Sequence, residues 1–251
     1  MHLKRWAANV IVCVIPNKTK RKKIRTKLQF DTKWCVDFVR NIYDGKYKNA
    51  KLSTYIGRGG QNYIVVVDKK YVFKFPIRSS ANKNPIAEKR ISDYFARVSP
   101  VRVPKLEIIN HNGKFIRKYD FIDGVIIEDA DRNLVKQNMD KIAKQIADFL
   151  FVMSTSNPVA LKDLKPKNAA TPGFMYGWSH NDIGGNFILD PKTMDVVGFI
   201  DWENAKFGDI MPDMCNAVFH WNKFGHSALG VKIMKFYAEK YIERTLKKKL
   251  K

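Results

Sequence analysis

The stretch "HNDIGGNFILDPKTMDVVGFID", from His180 to Asp201, decides how the chain is interpreted. Asp182 is followed by Asn186, and then by a predicted strand, a turn and a second strand that ends at Asp201. Phosphoryl transfer needs an aspartate that orients the acceptor hydroxyl, an asparagine that binds metal, and a metal-binding aspartate at the end of a nearby strand. The hairpin supplies these groups in that order, so it predicts a site for phosphoryl transfer.

A second stretch, "DLKPKN" from Asp163 to Asn168, has the spacing of a protein-kinase catalytic loop. The residues that follow, "AATPGF", contain a proline and a glycine and do not predict the strand that this chemistry requires. We therefore interpret Asp163 as a residue of a solvated loop and not as a catalytic group.

Three features of the first half predict a nucleotide-phosphate site. Glycines between two predicted strands let backbone N–H groups approach a phosphate, and these glycines are Gly57, Gly59 and Gly60. Lys74 interrupts the apolar strand "YVFKF", and Glu88 lies on the next predicted helix. Each feature alone has an ordinary explanation, as a hairpin turn, a solvent-facing lysine or an exposed helix position. Their order along the chain favours a lysine that is held by a glutamate and contacts phosphates.

The hydrophobic pattern predicts a β-rich first half and a mainly helical second half. Helices are predicted at "DTKWCVDFVRNIYDG", at "NPIAEKRISDYFARV" with Asn84 as cap and Pro85 at the first position, from Asp131 to Met153, from about Met211 to Trp221, and from about Ser227 onward. Strands are predicted at "KLSTYIG", "YIVVV", "YVFKF", "KLEII", "KFIRKYDFI", "NFILD" and "DVVGFID". Residues from Leu161 to Trp178 are predicted to be loop.

Composition limits the classes of function. The 251 residues are 45% hydrophobic, which is enough to bury a core, and the net charge of +22 favours acidic partners such as phosphates, nucleic acid or an anionic membrane. The cations concentrate at the two ends of the chain without a nucleic-acid reading motif, which argues against nucleic acid. Cys13, Cys35 and Cys215 form no Cys-x-x-Cys pair, so we expect neither disulfides nor a zinc site, and a cytoplasmic setting.

Residues 1–31 form a basic N-terminal segment with two interpretations. Its apolar run from Trp6 to Pro16 is shorter than the ~20 residues that span a bilayer, and a basic stretch replaces a signal-peptide cleavage site. The run could attach to an anionic membrane as an interfacial helix, which would place the protein peripherally on the inner face of a membrane. It could equally pack on the domain, followed by a solvated basic linker.

The stretch from Ser179 to Trp221, through "SHND", "IDWE" and "DMCNAVFHW", resembles the catalytic core of the aminoglycoside phosphotransferase and choline kinase family. It is most similar to the choline/ethanolamine kinase-like bacterial members, and the glycine loop extends the resemblance to about Lys51. The resemblance implies an α+β, bilobal protein-kinase-like fold, with a β-rich N-lobe that contains one helix and a mainly helical C-lobe. The implied division has three parts. The basic N-terminal segment spans residues 1–31, the nucleotide-binding N-lobe spans 32–119, and the C-lobe, with the catalytic loop and the substrate site, spans 120–251.

The resemblance also implies a role for each matching residue. Asp182 would be catalytic, Asn186 and Asp201 would bind Mg²⁺, and Lys74 with Glu88 would hold the phosphates of ATP. The hinge that contacts adenine through backbone groups would comprise Arg117, Lys118 and Tyr119. The structural braces would be His180 and Asp213, and the residues facing the substrate would be Trp202, Glu203 and Trp221. Tryptophans such as these two belong more often to the core than to a ligand site, but aromatic faces beside Glu203 could hold a quaternary ammonium.

One feature departs from the family's pattern. The family usually places the asparagine five positions after the catalytic aspartate, whereas Asn186 follows Asp182 by four. Gly184 and Gly185 could absorb the difference with unusual backbone angles, or the metal site could be altered. The sequence predicts an ATP- and Mg²⁺-dependent kinase whose acceptor is choline-like, ethanolamine-like or a sugar of a cell-envelope glycan such as lipopolysaccharide. The alternatives are a non-catalytic pseudo-kinase and a basic module that binds membrane or nucleic acid.

Overall fold

A computed structural model describes residues 31–57, 60–77, 81, 85–167, 175–222 and 225–249. The basic segment at 1–30, Gly59, Asn84 and Asn168 lie outside the described residues, and so do the predictions made for them. The chain forms two compact units. The first comprises residues up to Pro85 with Leu106–Phe121, and the second comprises Ile86–Lys105 with Ile122–Lys251. The predicted N-lobe at 32–119 differs from the first unit because it includes the helix after Pro85.

The first unit is an antiparallel sheet with one helix. The helix is α1 (Thr32–Gly45), and Asp31 caps it by accepting a bond from the N–H of Trp34 at 2.9 Å. The strands are β1 (Leu52–Ile56), β2 (Asn62–Val67), β3 (Tyr71–Pro76), β4 (Glu107–His111) and β5 (Lys114–Asp120), in the order β1-β2-β3-β5-β4. The predicted helix, meander and hairpin are confirmed, because aromatic and β-branched runs separated by polar turns suit such pairing.

Alternation along the strands gives this sheet two different faces. One face packs against Cys35 and Val39 of α1 through buried side chains, namely Val65, Val67, Phe73, Phe75 and Ile116. The opposite face carries a smaller apolar cluster, made of Ile64, Val66 and Val72 with Tyr119 and Phe121 beside them. Side chains therefore differ in surroundings according to their parity in the strand.

The second unit is mainly helical. Its helices are α2 (Ile86–Val98), α3 (Arg132–Gln137), α4 (Met139–Thr155), α5 (Met211–Asn222) and α6 (Ser227–Lys249). Its strands are β6 (Val125–Ile126), β7 (Tyr176–Ser179), β8 (Phe187–Leu189), β9 (Val196–Phe199) and β10 (Lys206–Asp209), arranged as the sheets β6-β8-β9 and β10-β7. Buried residues of α4, including Ile146 and Phe149, belong to the main core of this unit.

Three local predictions for the second unit need correction. The long helix predicted from Asp131 is two helices, because the helical conformation is interrupted at Asn138. Helix α2 begins at Ile86, so Pro85 precedes it. The loop predicted from Leu161 to Trp178 contains a short 3₁₀ helix (Val159–Leu164) and the start of β7. Strand β7 and its partner β10 have four residues each, which is too short for alternation to reveal them.

Candidate active site

The hairpin of β8 and β9 brings Asn186 and Asp201 to the same end of the second unit's sheet. The strands pair antiparallel from Phe187 opposite Phe199 to Leu189 opposite Val196. The N–H of Ile200 donates to the carbonyl of Asn186 at 2.8 Å. Because Asn186 comes just before β8 and Asp201 just after β9, the antiparallel pairing places both residues at the same end of the hairpin. The predicted hairpin is confirmed.

The loop from Asp182 to Asn186 is short, yet its two end residues are joined by a hydrogen bond. The side-chain nitrogen Nδ2 of Asn186 donates to the backbone carbonyl of Asp182 at 2.7 Å. The amide oxygen of Asn186 then remains as a possible metal ligand, because only the nitrogen is used in this bond. The expected unusual angles are not at Gly184 and Gly185, which do not adopt positive φ; the left-handed residue is Asn181, with φ of 62°.

The carboxyl group of Asp182 has a raised pKa. Asp182 is exposed to solvent, yet its pKa is raised, first by the loss of solvation near the surrounding protein and then by the negative charge of Asp201. His180 and a contact with Asn204 act in the opposite direction. Nδ2 of Asn204 lies 3.5 Å from Oδ2 of Asp182, which is long for a hydrogen bond. Functional carboxylates often have pKa values shifted in this way.

Buried polar residues just before the loop from Asp182 to Asn186 form hydrogen bonds with neighbouring elements. Nε2 of His180 lies 2.9 Å from the carbonyl of Ile200, so the ring donates to the end of β9. The hydroxyl of Ser179 donates to Oδ2 of Asp213 at 2.9 Å, and Asp213 on α5 is fully buried. These contacts fit the brace roles that were predicted for His180 and Asp213.

Asp201 adopts a left-handed backbone conformation, with φ of 65° and ψ of 63°. This conformation is costly for a residue that is not glycine, and such residues cluster at functional sites. Asp201 ends the hairpin and precedes a 3₁₀ turn, Trp202–Asn204.

A Mg²⁺ ion fits the oxygen donors of Asn186 and Asp201 at the end of the β8–β9 hairpin. Among the described residues, no group of three or more His, Cys, Asp or Glu forms a ready-made metal site. Mg²⁺ usually uses one or two protein oxygen ligands together with substrate phosphates and water. The amide oxygen of Asn186 and the carboxylate of Asp201 match that requirement.

The tryptophans predicted to face the substrate lie in the core of the second unit. Trp202 is 1% exposed, donates from Nε1 to the carbonyl of Phe199 at 3.2 Å, and stacks on Phe95 with 5.7 Å between ring centroids. Trp221 is fully buried and donates from Nε1 to the carbonyl of Gly184 at 2.6 Å. These contacts favour the core interpretation of both rings. Glu203 is half-buried, and its contact with a substrate stays a prediction.

In the first unit, Lys74 lies on the sheet face opposite α1. It pairs with Ile64 of β2 and with Arg117 of β5, so the three side chains share that face. Lys74 is 5% exposed and lies in the same strand as Val72 of the small apolar cluster. A buried cation beside an apolar surface can receive the phosphates of a nucleotide whose base covers that surface.

The predicted hinge residues lie inside β5. Arg117 and Lys118 pair with β3 on one side and with β4 on the other, so the ladders use their backbone groups. The side chain of Arg117 is buried and donates to the carbonyls of Ala81 and Phe115, both at 3.2 Å. Lys118 lies on the α1 side of the sheet, where it forms an ion pair with Glu107 at 2.7 Å. Contact of this segment with adenine stays a prediction.

The glycine turn between β1 and β2 is closed by its own hydrogen bonds. The N–H of Gly57 donates to the backbone carbonyl of Asn62 at 2.9 Å, and the N–H of Gly60 donates to the backbone carbonyl of Gly57 at 2.7 Å. Gly60 has a positive φ of 66°, which explains a glycine there. Phosphate binding by this turn stays a prediction.

Glu88 occupies the first turn of α2 in the second unit and is 8% exposed. Its pairing with Lys74 also stays a prediction. On the same helix, both terminal nitrogens of Arg90 donate to the carboxylate of Asp163, each at 2.7 Å. Arg90 also donates to the carbonyl of Ala160 at 2.6 Å. Arg90 therefore links the 3₁₀ helix that contains Asp163 to α2, and this pairing agrees with the interpretation of Asp163 as a residue that is not catalytic.

Comparisons with solved structures identify the fold. The GDP complex of wild-type aminoglycoside 2'-phosphotransferase-IIIa is 16% identical, with 84% of this chain and 83% of that chain covered and a TM-score of 0.63. Aminoglycoside phosphotransferase APH(3'')-Id from Streptomyces rimosus is 17% identical, with coverage of 82% and 92% and a TM-score of 0.56. Macrolide 2'-phosphotransferase type I is 17% identical, with coverage of 76% and 78% and a TM-score of 0.53. The chain has the protein-kinase-like fold of these phosphotransferases, with a β-sheet N-lobe and a helical C-lobe, as predicted.

No protein-family model matches the chain, and no curated protein matches it either. Among the described helices, none is both long enough and apolar enough to cross a membrane.

Two contacts of the loop from Asp182 to Asn186 were missed from the sequence. Asn204 approaches Asp182, and its position just after "IDWE" was the only available signal. Trp221 contacts Gly184 across 37 positions, and no local pattern indicates such a distant bond.

Proposed function

We propose that the chain is an ATP- and Mg²⁺-dependent phosphotransferase that phosphorylates a hydroxyl group of a small molecule. The observation that carries this proposal is the bond from Asn186 to the carbonyl of Asp182, at the start of a hairpin that ends at Asp201. This order of groups is the one that phosphoryl transfer requires. The similar solved structures include phosphotransferases with bound ADP and GDP, which adds support.

Each residue has a defined part in the proposed reaction. Asp182 accepts a hydrogen bond from the acceptor hydroxyl and orients its oxygen toward the transferred phosphorus, and its raised pKa makes it a better proton acceptor. Lys74 neutralises charge on the nucleotide phosphates. Oxygen atoms of Asn186 and Asp201 hold Mg²⁺, which supplies positive charge to the phosphate oxygens.

The geometry of the loop favours an active enzyme over a pseudo-kinase. The pseudo-kinase alternative arose because Asn186 follows Asp182 by only four positions. The 2.7 Å bond from the asparagine nitrogen to the aspartate carbonyl spans that interval without positive φ at Gly184 or Gly185. The short loop therefore keeps the side-chain amide of Asn186 against the backbone of Asp182, which supports an intact metal site.

The acceptor that we favour is a sugar hydroxyl. An aromatic cage for the quaternary ammonium of choline would need exposed rings, whereas Trp202 and Trp221 are buried. Similar structures were determined with the amino sugars kanamycin, streptomycin and gentamicin. The net charge of +22 also suits an anionic glycan of the cell envelope, such as lipopolysaccharide. Choline and ethanolamine remain the second candidate because of the resemblance in sequence.

The nucleotide site is proposed on the face of the first unit that carries Lys74. The apolar cluster with Tyr119 and Phe121 suits a purine ring, and backbone groups just after β5 would serve as the hinge. ATP is the proposed donor, and GTP is the donor to compare because three of the similar structures contain GDP. Peripheral attachment to an anionic membrane stays a prediction about the segment at 1–30.

A transfer assay with γ-labelled nucleotide tests the proposal. The purified chain would be incubated with Mg²⁺, labelled ATP or GTP, and a panel of amino sugars, envelope sugars, choline and ethanolamine. We expect label on a sugar from ATP and no transfer when Mg²⁺ is chelated. Label on choline alone would replace the sugar assignment, and absence of nucleotide binding would contradict the proposal as a whole.

A further inference from the structure

The indole of Trp221 contacts the centre of the catalytic loop. Trp221 lies near the end of α5, is fully buried, and donates from Nε1 to the carbonyl of Gly184 at 2.6 Å. Its ring also meets Phe187, the first residue of β8, edge to face at 5.9 Å between centroids. The tryptophan therefore contacts both the loop and the strand that follows the metal-binding asparagine.

The loop needs such a contact because its middle consists of two glycines. Gly184 and Gly185 allow many backbone conformations, and loss of that freedom costs entropy. Gly184 is buried, and a buried carbonyl without a hydrogen-bond partner is unfavourable because it has lost its contacts with water. The Trp221 N–H satisfies this carbonyl and thereby selects one orientation of the peptide two residues before Asn186.

We propose that Trp221 is a positioning residue for the metal site: its N–H holds the short loop in the form in which Asn186 presents its amide oxygen to Mg²⁺. The inference rests on the proposed phosphotransferase function. The bond acts through Gly184, since Trp221 is buried and does not itself reach a reacting group.

A second buried tryptophan provides a matched control. Trp178 on β7 is 1% exposed and packs edge to face on Phe207 at 5.3 Å. Within the part of the chain that the structure describes, its Nε1 has no hydrogen-bond partner. Trp178→Phe and Trp221→Phe therefore remove the same atoms from the core of one unit, but only Trp221→Phe removes a bond to the catalytic loop.

The test is a titration of Mn²⁺, as a paramagnetic substitute for Mg²⁺, into each protein with a non-hydrolysable ATP analogue. Free Mn²⁺ is measured by electron paramagnetic resonance, so the readout does not depend on turnover. We expect Trp221→Phe to weaken Mn²⁺ binding by about 10–100-fold, as other changes behind metal ligands do, and Trp178→Phe to leave it unchanged. In the transfer assay, Trp221→Phe should raise the half-saturating Mg²⁺ concentration without changing the KM for ATP at saturating Mg²⁺.

The outcomes separate the inference from the function on which it rests. If wild type binds Mn²⁺ with nucleotide and the two variants bind it equally well, the inference is overturned while the function stands. If wild type binds no Mn²⁺ with nucleotide, the proposed function itself is overturned. Should Trp221→Phe not fold, benzothienylalanine at position 221, in which sulfur replaces the N–H, keeps the ring shape and is judged by the same comparison.

Discussion

Asn186 donates its side-chain N–H to the backbone carbonyl of Asp182 across 2.7 Å, although only four positions separate the two residues. This bond fixes the amide plane against the backbone of the proposed catalytic residue and leaves the amide oxygen for a metal ion. The two residues therefore form one unit of structure, and a change in the loop should affect metal binding and proton acceptance together.

Asp182 should reduce the stability of the protein at neutral pH. Its pKa is higher in the folded protein than in the unfolded chain, so the folded state binds the proton more tightly, and stability falls as pH rises through the folded pKa. Asp182→Asn should therefore have the higher Tm at pH 7. The higher Tm of Asp182→Asn should disappear at pH values below the pKa of Asp182 in the unfolded chain, about 3.9. Calorimetry of both proteins across pH checks this, and a variant that is less stable at pH 7 would contradict the assigned shift.

Lys74 should matter for nucleotide binding, whereas another lysine of the same sheet should not. Lys74→Met removes the cation from the face opposite α1, and we expect the KM for ATP to rise about tenfold or more. Lys114→Met is the control, since Lys114 lies over the ring of Trp34 of α1, 4.4 Å from its centroid. Equal losses of ATP affinity in the two variants would show that the face of Lys74 is not the nucleotide site.

Two glycines paired across β7 and β10 should respond oppositely to alanine. A Cβ on Gly177 would lie 2.1 Å from the carbonyl oxygen of Ser154, so Gly177→Ala should destabilise the protein by at least about 1–3 kcal/mol. A Cβ on its partner Gly208 would meet no atom within 4 Å, and Gly208→Ala should be neutral or stabilise by up to about 1 kcal/mol. Urea unfolding measures both changes. Equal effects would mean that β7 does not pack on α4 as described.

The sequence predicted those parts of the fold that local pattern determines. The β8–β9 hairpin was recognised because two apolar runs flank a turn, and its ends place Asn186 and Asp201 together. Asp163 could be set aside because the residues directly after it do not predict a strand, and its ion pair with Arg90 agrees with that interpretation.

Contacts between distant segments could not be predicted in this way. Strand β7 is defined by its pairing with β10 and by the approach of Gly177 to Ser154, which no window of sequence contains. The bond from Trp221 to Gly184 has the same character. The backbone ladders on both sides of Arg117 also depend on strand order, which no local pattern in the sequence gives.

The most direct test of the central claim compares label transfer from γ-labelled ATP by wild type, Asp182→Asn and Asp163→Asn, with Mg²⁺ and the acceptor found in the panel. We predict that Asp182→Asn lowers kcat by about 10²–10⁴-fold, as loss of a catalytic base does, while Asp163→Asn retains kcat wherever it remains folded. Full transfer by Asp182→Asn, or a larger loss of kcat in folded Asp163→Asn, would contradict the assignment of Asp182 as the catalytic residue.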